Sequence, residues 1–319
     1  MQSVNLMSVN LTSSWPCSVA VVAVCALVVS ASVQAQVRGV YPLGMSATNS
    51  GSTPESGFTY ANSFLFYSRD SLRGSHGEVL ASGQNSVMMD MNSLFWVSRQ
   101  KLCWLGGAKF SLSATLPVAN NSLTSDVQGA LTGGGGFADS YYQPFILGWQ
   151  TKRADIRTVY GFLAPTGRFK ADATDNVGSG YWTHVAAAGA TFYLTQNKGT
   201  ALSAFQLYEF HGMQRSTDIH PGQTLSLDYS LTHIVALRND SSLQLGLVGY
   251  AQWQTTDKSG PTITTAQAKA HYRVNALGFT SNVILPARKV SVGVKYFKEF
   301  SNKSTFQGYS LQISGAISF

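Results

Sequence analysis

The chain has 319 residues and a formal net charge of +7, and only 12% of its residues are Asp, Glu, Lys or Arg. That charged fraction lies well below the roughly 25% of ordinary soluble proteins, although the mean hydropathy is only +0.02, so the surface must be polar without being charged. The 22 basic residues form no Lys/Arg block with interleaved aromatic residues, which argues against nucleic-acid binding and leaves a weak bias toward anionic partners such as lipopolysaccharide phosphates.

The N-terminus has the pattern of a secretory signal peptide. Residues 19–29 are continuously apolar, and small residues at Val33 and Ala35 allow cleavage before Gln36. This apolar core is shorter than the about 20 residues that span a bilayer, so a retained anchor is the weaker interpretation. No Lys or Arg precedes Arg38, which departs from the usual pattern. We expect residues 1–35 to be removed.

Residues 36–57 are rich in Gly, Ser, Pro and Thr and show no apolar period. Such a composition predicts a flexible periplasmic leader, or alternatively a short plug. Beyond it, no stretch is long enough for a membrane helix, so an embedded chain must form a closed β-barrel. Strand candidates follow one another to the C-terminus at residues 58–67, 86–98, 105–118, 143–151, 156–164, 181–195, 201–211, 223–237, 243–255, 271–285, 289–300 and 308–319.

The connections between these strands alternate between long and short. The long ones are residues 69–85, 119–142, 165–180, 212–222, 256–270 and 301–307, and the short ones are residues 99–104, 152–155, 196–200, 238–242 and 286–288. Outer-membrane barrels have long outer loops and tight periplasmic turns, whereas a soluble secreted β-protein has no reason to keep this order. We therefore predict a transmembrane antiparallel up-and-down barrel of about twelve strands over residues 58–319. Residues 129–140 are a candidate for a loop that folds inward and narrows the lumen.

The last strand candidate shows the membrane pattern most clearly. Apolar and aromatic residues alternate with small polar ones up to Phe319, which predicts a lipid face and a luminal face. The lipid face would comprise Tyr309, Leu311, Ile313, Ile317 and Phe319. We expect the outer-membrane assembly machinery to recognise this strand through Phe319.

Charged residues inside predicted strands should face the lumen, because charge on the lipid face costs about 2–4 kcal/mol near the midplane. These residues can pair with one another and fill the barrel, or they can select solutes. The candidates are Arg157, Glu209, Asp228, Arg273 and Lys295.

Motifs for catalysis are weak. The glycine run at residues 133–136 lacks the lysine of a phosphate loop, and the six histidines show no metal-ligand spacing. Some twelve-stranded outer-membrane barrels are phospholipases, but no serine here stands in a recognisable nucleophile setting. Cys103 has no His or Asp beside it. We predict no enzyme activity, no metal site and no cofactor.

Four short motifs occur in order from Tyr141 onward: Y-Q-P-F-I-L-G-W at residues 142–149, Y-G-F-L-A-P-T-G-R-F at 160–169, N-V-G-S-G-Y-W-T at 176–183 and V-K-Y-F-K-E-F at 294–300. In these motifs the sequence resembles the bacterial family of outer-membrane transporters of the meta-pathway of phenol degradation. The resemblance implies an outer-membrane barrel for the passage of aromatic or other hydrophobic compounds. The family carries no established catalytic residues.

The sequence and this resemblance together predict a channel for the passive passage of small hydrophobic or aromatic solutes. The alternative is a closed barrel with a structural or surface ligand-binding role. Four residues are candidates for the pore mouth or for anchoring at the membrane interface: Trp149, Arg168, Tyr181 and Trp182.

Overall fold

The computed structural model describes residues 38–125, 129–171, 173, 175–238 and 240–319. Within these residues, thirteen β-strands form one antiparallel sheet. They are β1 (Gly57–Arg73), β2 (Val79–Leu102), β3 (Ala108–Ser125), β4 (Gly129–Phe137), β5 (Ser140–Gln150), β6 (Ala154–Ala164), β7 (Thr183–Tyr193), β8 (Thr200–His211), β9 (Thr224–Ala236), β10 (Ser242–Gln254), β11 (Arg273–Leu285), β12 (Val290–Glu299) and β13 (Thr305–Ser318). The predicted signal peptide, residues 1–35, lies outside the described residues and stays a prediction.

The sheet closes on itself. β1 pairs with β2 on one side and with β13 on the other, where Thr59 lies opposite Ser318. β3 pairs with β2 along its length, with β5 over its first half and with β4 over its second half. Among the described strands, twelve therefore form the ring and β4 is an added strand on β3. The predicted all-β antiparallel barrel is confirmed, and closure leaves its membrane-spanning strands without an open edge.

The two faces of the wall follow the alternation in the sequence. In β9, Ser226, Asp228 and Ser230 are buried inside the barrel, whereas the intervening Leu227 and Tyr229 face outward. In β13, Gln312 points inward and Ile313, which is 47% exposed, points outward. Because successive side chains of a strand point to opposite faces, one period-two pattern supplies both the lipid surface and the polar lumen.

Two predicted long loops are largely strand. β1 continues to Arg73 and β2 begins at Val79, so residues 69–85 form the upper part of a tall hairpin. The prediction of a loop at residues 119–142 is likewise wrong for the end of β3 and for β4. A strand that projects above the membrane has no lipid face, and its sequence therefore loses the apolar alternation by which the lower part is recognised.

The remaining connections differ in length between the two ends of the barrel. At the end that carries the C-terminus, Cys103–Leu105 and Pro286–Arg288 form single 3₁₀ turns, the first of which ends at Gly106 with a φ of +62°. At the other end, which we call extracellular because outer-membrane barrels carry their long loops there, residues 165–171, 173 and 175–182 belong to one long loop and residues 255–272 form another, which contains a short helix, Thr265–Lys269, capped by Thr264. None of the helices in the described residues is long and apolar enough to cross a membrane.

Candidate functional site

The lumen is occupied by the segment that precedes β1, residues 38–56, which we call the plug. Its backbone forms no strand, and wall side chains from around the barrel bind it. Ser230 donates to the Ala47 carbonyl at 2.7 Å, and Gln244 donates to the Asn49 side chain at 3.0 Å. The sequence left a flexible periplasmic leader and a short plug as alternatives for residues 36–57, and the contacts of residues 38–56 with the wall favour the plug. A Gly- and Ser-rich segment can be ordered here because the wall satisfies its backbone groups.

Asp228 and Lys295 bind the centre of the plug. The Asp228 carboxylate accepts hydrogen bonds from Tyr41 Oη at 2.7 Å, Gly44 N at 3.0 Å and Ser46 N at 3.1 Å. Lys295 Nζ donates to the carbonyls of Gly44 and Met45 at 3.0 and 2.8 Å. Both side chains face the lumen, and their charges hold a tight turn of the plug backbone.

Gly44 is required in that turn. Its φ of +81° lies in the left-handed region, and a Cβ atom there would come within 2.5 Å of the Phe297 ring. Only glycine satisfies both conditions without a shift of the wall. The plug and the wall are thus fitted to each other at this point.

The extracellular end of the plug is fixed by an ion pair that the sequence analysis missed. Arg38 Nη1 lies 3.0 Å from Glu299 Oε1, and the Glu299 side chain is fully buried. Glu299 also accepts hydrogen bonds from Tyr67, Tyr250, Asn302 and the backbone of Gly308. The signal was available, because Glu299 lies in phase with Lys295 on the luminal face of β12.

Glu209 and Arg157 also face the lumen, and each has one buried polar atom without a hydrogen-bond partner. Glu209 Oε1 accepts from Tyr41 N at 2.8 Å, while Oε2 has no partner. Arg157 donates to Ser46 Oγ at 3.1 Å and its guanidinium lies 4.9 Å from the centre of the Phe205 ring, while Nε has no partner. These charges contact the plug and do not pair with each other.

The prediction for Arg273 is wrong. Its neighbour Val274 is fully buried inside the barrel, and Arg273 is exposed on the outer face at the extracellular end of β11. Its backbone pairs with Lys303. The phase of the alternation in this strand differs by one residue from the predicted one, and such a shift moves a side chain to the opposite face.

The four pore-mouth or interface candidates lie at different places. Trp149 bonds through Nε1 to the Leu105 carbonyl at the periplasmic end, and Arg168 forms an exposed ion pair with Asp175 at 2.9 Å in the loop of residues 165–182. Tyr181 is buried against His211, with ring centroids 5.3 Å apart, whereas Trp182 is 51% exposed. Burial, followed by the nearby Glu209 carboxylate, raises the pKa of the Tyr181 phenol well above its ordinary value.

The predicted loop at residues 119–142 does not narrow the lumen. Gly129–Phe137 forms β4, which pairs with β3 in the wall. Gly-rich sequence therefore marks a strand here, and the plug occupies the space that residues 129–140 were expected to fill.

A cavity of about 390 Å³ opens beside the base of the plug, lined by Thr53, Pro54, Glu55, Ser56, Lys109 and Gln150. In the part of the chain that the structure describes, no group of three or more His, Cys, Asp or Glu side chains could hold a metal ion.

The model of the family described as "Putative MetA-pathway of phenol degradation" matches residues 69–314. Among solved structures, the chain is similar to an outer membrane channel from Pseudomonas putida F1, with 14% identity, a TM-score of 0.69 and coverage of 88% of this chain and 100% of that one. It is also similar to the beta domain of the Bordetella autotransporter BrkA, with 13% identity, a TM-score of 0.49 and coverage of 83% and 100%. No curated protein sequence matches significantly. The first likeness shows the fold, that of a bacterial outer-membrane β-barrel.

Proposed function

The chain belongs to this phenol-degradation family, and we propose that it is an outer-membrane channel for the passive passage of small hydrophobic or aromatic compounds. The observation that carries the proposal is the way in which the plug is held. It makes no strand ladder with the wall and is bound through side chains such as Asp228, Lys295 and Gln312. Side-chain contacts of this kind can be exchanged for contacts with water without opening the barrel.

The apolar surface beneath the plug supports this class of solute. Tyr41 packs against Phe205, Val185 and Leu207, and a second cluster includes Tyr250 and Phe297. If the plug moves, the wall presents these aromatic and aliphatic side chains to the lumen beside Glu209 and Arg157. An apolar surface with a few polar groups is the usual composition of a binding site for small organic molecules.

A reversible lock on the plug tests the proposal. Asn49 on the plug and Gln244 on β10 are hydrogen-bonded, so Asn49→Cys and Gln244→Cys can be joined by a short, reducible bis-thiol cross-linker, in a Cys103→Ser background because Cys103 is exposed. In planar bilayers we expect discrete current steps from the protein without the linker, their loss on cross-linking and their return on reduction. In liposomes we expect the same pattern for uptake of a phenol.

A second candidate function is supported by the filled lumen itself. The plug contacts the wall near both of its ends, through Arg38 and through Ser56, as a structural barrel would require. A protein that inserts into bilayers but carries neither ions nor phenol, with or without the linker, would favour this structural or surface-binding role. Single-cysteine variants treated with the same linker serve as controls.

Two partners follow from the proposed location. Beyond the lipid bilayer, we propose that basic residues near the rim, including exposed Arg273 and Lys298, contact lipopolysaccharide phosphates. We also propose that the assembly machinery recognises β13 and the exposed Phe319. Phe319→Ala should slow assembly, measured as the time course of folded barrel in cells, without altering the conductance of barrels that do fold.

A further inference from the structure

The outer wall carries a polar cluster in the middle of the membrane band, formed by Tyr60, Asn62, Asp90 and Asn92 on β1 and β2. These residues face outward, because Tyr60 lies opposite exposed Leu94 and Phe64 lies opposite Asp90 in the register of the two strands. Along the strands the cluster is bracketed by outward aromatic residues, Phe58 and Trp96 toward the periplasm and Phe66 and Tyr309 toward the outside. Its depth is therefore that of the hydrocarbon.

Polar groups at this depth are costly, since no water is present to hydrogen-bond to them. The cluster satisfies part of its own needs. Asn62 Nδ2 donates to Asp90 Oδ1 at 2.7 Å and to Asn92 Oδ1 at 3.2 Å, Asn92 Nδ2 donates to Asp90 Oδ2 at 2.9 Å, and Tyr60 donates to Asn92 Oδ1 at 2.5 Å. The carboxylate thus has two amide donors.

Two hydrogen-bonding groups of the cluster are left over. An amide nitrogen has two hydrogens and an amide oxygen has two lone pairs. In the contacts of the described residues, Asn92 Nδ2 uses one hydrogen and Asn62 Oδ1 accepts none. Both unused groups lie at the same depth on this face, because Asn62 and Asn92 are directly opposite in the strand register.

We propose that this face is an interface with a second copy of the chain, related by a two-fold axis along the membrane normal. Such a rotation keeps every residue at its depth and places Asn92 of one copy against Asn62 of the other, and the reverse. Each copy then satisfies the unused groups of its partner. A lipid tail, which has no donor or acceptor, cannot do this.

The shape on either side of the cluster fits the same symmetry. On the Asn62 side, Gly315 leaves a groove of about 320 Å³ lined by Val290, Val292 and Ile317. On the Asn92 side, Leu94 and Leu116 protrude, with 49% and 48% of their surface exposed. The two-fold rotation turns the leucine side of one copy toward the grooved side of the other, so that apolar projections meet an apolar depression.

Two measurements test the proposal: the mass of the particle extracted in detergent, and the proximity of two copies in the membrane. We expect native mass spectrometry of protein extracted in mild detergent to give a dimer. The triple variant Asn62→Leu, Asp90→Leu and Asn92→Leu should halve the mass per particle and still fold, because it removes polar groups from a lipid-facing surface. Gln206→Leu, which replaces a lipid-facing polar residue on β8, should leave the dimer intact.

Cross-linking in the outer membrane gives a second readout. In a Cys103→Ser background, Leu94→Cys should form a disulfide-linked homodimer, whereas Leu245→Cys, an exposed residue of β10, should not. Equal cross-linking at the two positions, a monomeric wild type or an unchanged mass of the triple variant would overturn the proposal. A Leu94→Cys adduct with a different protein would also overturn it and would assign the face to that partner.

Discussion

Asp228 accepts three hydrogen bonds from the plug, and its removal should weaken the binding of the plug to the wall. Each hydrogen bond to a charged group contributes about 1.5–3 kcal/mol, so Asp228→Ala removes several kcal/mol of attraction between plug and wall. Lys295 is left without its nearest opposite charge. We expect a higher open probability in planar bilayers than for the wild type. Asp70→Asn, which weakens an exposed pair with Lys298 and keeps an acceptor for Ser68 Oγ, touches no plug residue and should leave the conductance unchanged. Equal records for Asp228→Ala and wild type would mean that this carboxylate does not control the plug.

Removing one charge of the ion pair between Arg38 and Glu299 should lower the free energy of unfolding more than removing both charges. Glu299→Gln leaves the Arg38 charge without its carboxylate, although Thr305 and the Phe306 carbonyl still accept hydrogen bonds from it, and breaking a buried pair in this way costs about 3–5 kcal/mol. The double variant Arg38→Met and Glu299→Gln removes both charges and should recover most of that loss. Urea unfolding in detergent micelles measures both free energies. A double variant as unstable as Glu299→Gln alone would show that the other donors to Glu299 dominate.

At the scale of elements, the plug occupies the lumen, a role that the sequence analysis gave to residues 129–140, and most of those residues belong to β4. Replacing residues 126–137 by a short Gly-Ser turn removes β4 but leaves the ring of twelve strands complete. We expect no rise in conductance, whereas loosening the plug should raise it. Ion current through both variants, recorded at the same salt concentration, makes the comparison. An increase for the β4 deletion would restore residues 129–140 as the gate.

The elements differ in how well the sequence predicts them, for physical reasons. β9, β12 and β13 have one lipid face and one polar face, so their alternation indicates both the strand boundaries and the side on which Asp228 and Lys295 lie. Arg273 lies at a strand end, where either face meets water and the phase carries little information. The plug has no period at all. Its order depends on partners far away in sequence, such as Glu299 for Arg38, and no local pattern encodes these.

For the molecule as a whole, the inner and outer surfaces of the barrel wall differ in the charged side chains that they can accommodate. The inner surface accepts Arg157, Glu209, Asp228 and Lys295 because the plug supplies polar partners. The outer surface is mostly apolar in the same strands, with single polar residues such as Gln206. The cluster around Asp90 differs because it places a carboxylate and two amides side by side in the membrane band, and this concentration of polar groups is the basis of the proposed contact with a second copy.

Closure of the ring should dominate the stability of the whole molecule. β13 pairs with both β1 and β12, so it joins the first strand to the rest of the sheet. Its removal opens two edges in an environment without water, where each unsatisfied backbone group costs several kcal/mol. The intact protein should migrate faster on SDS gels without heating than after heating, because the closed barrel resists the detergent. A variant that lacks residues 305–319 should show one heat-insensitive band. A faster unheated band for that variant would mean that the remaining strands close without β13.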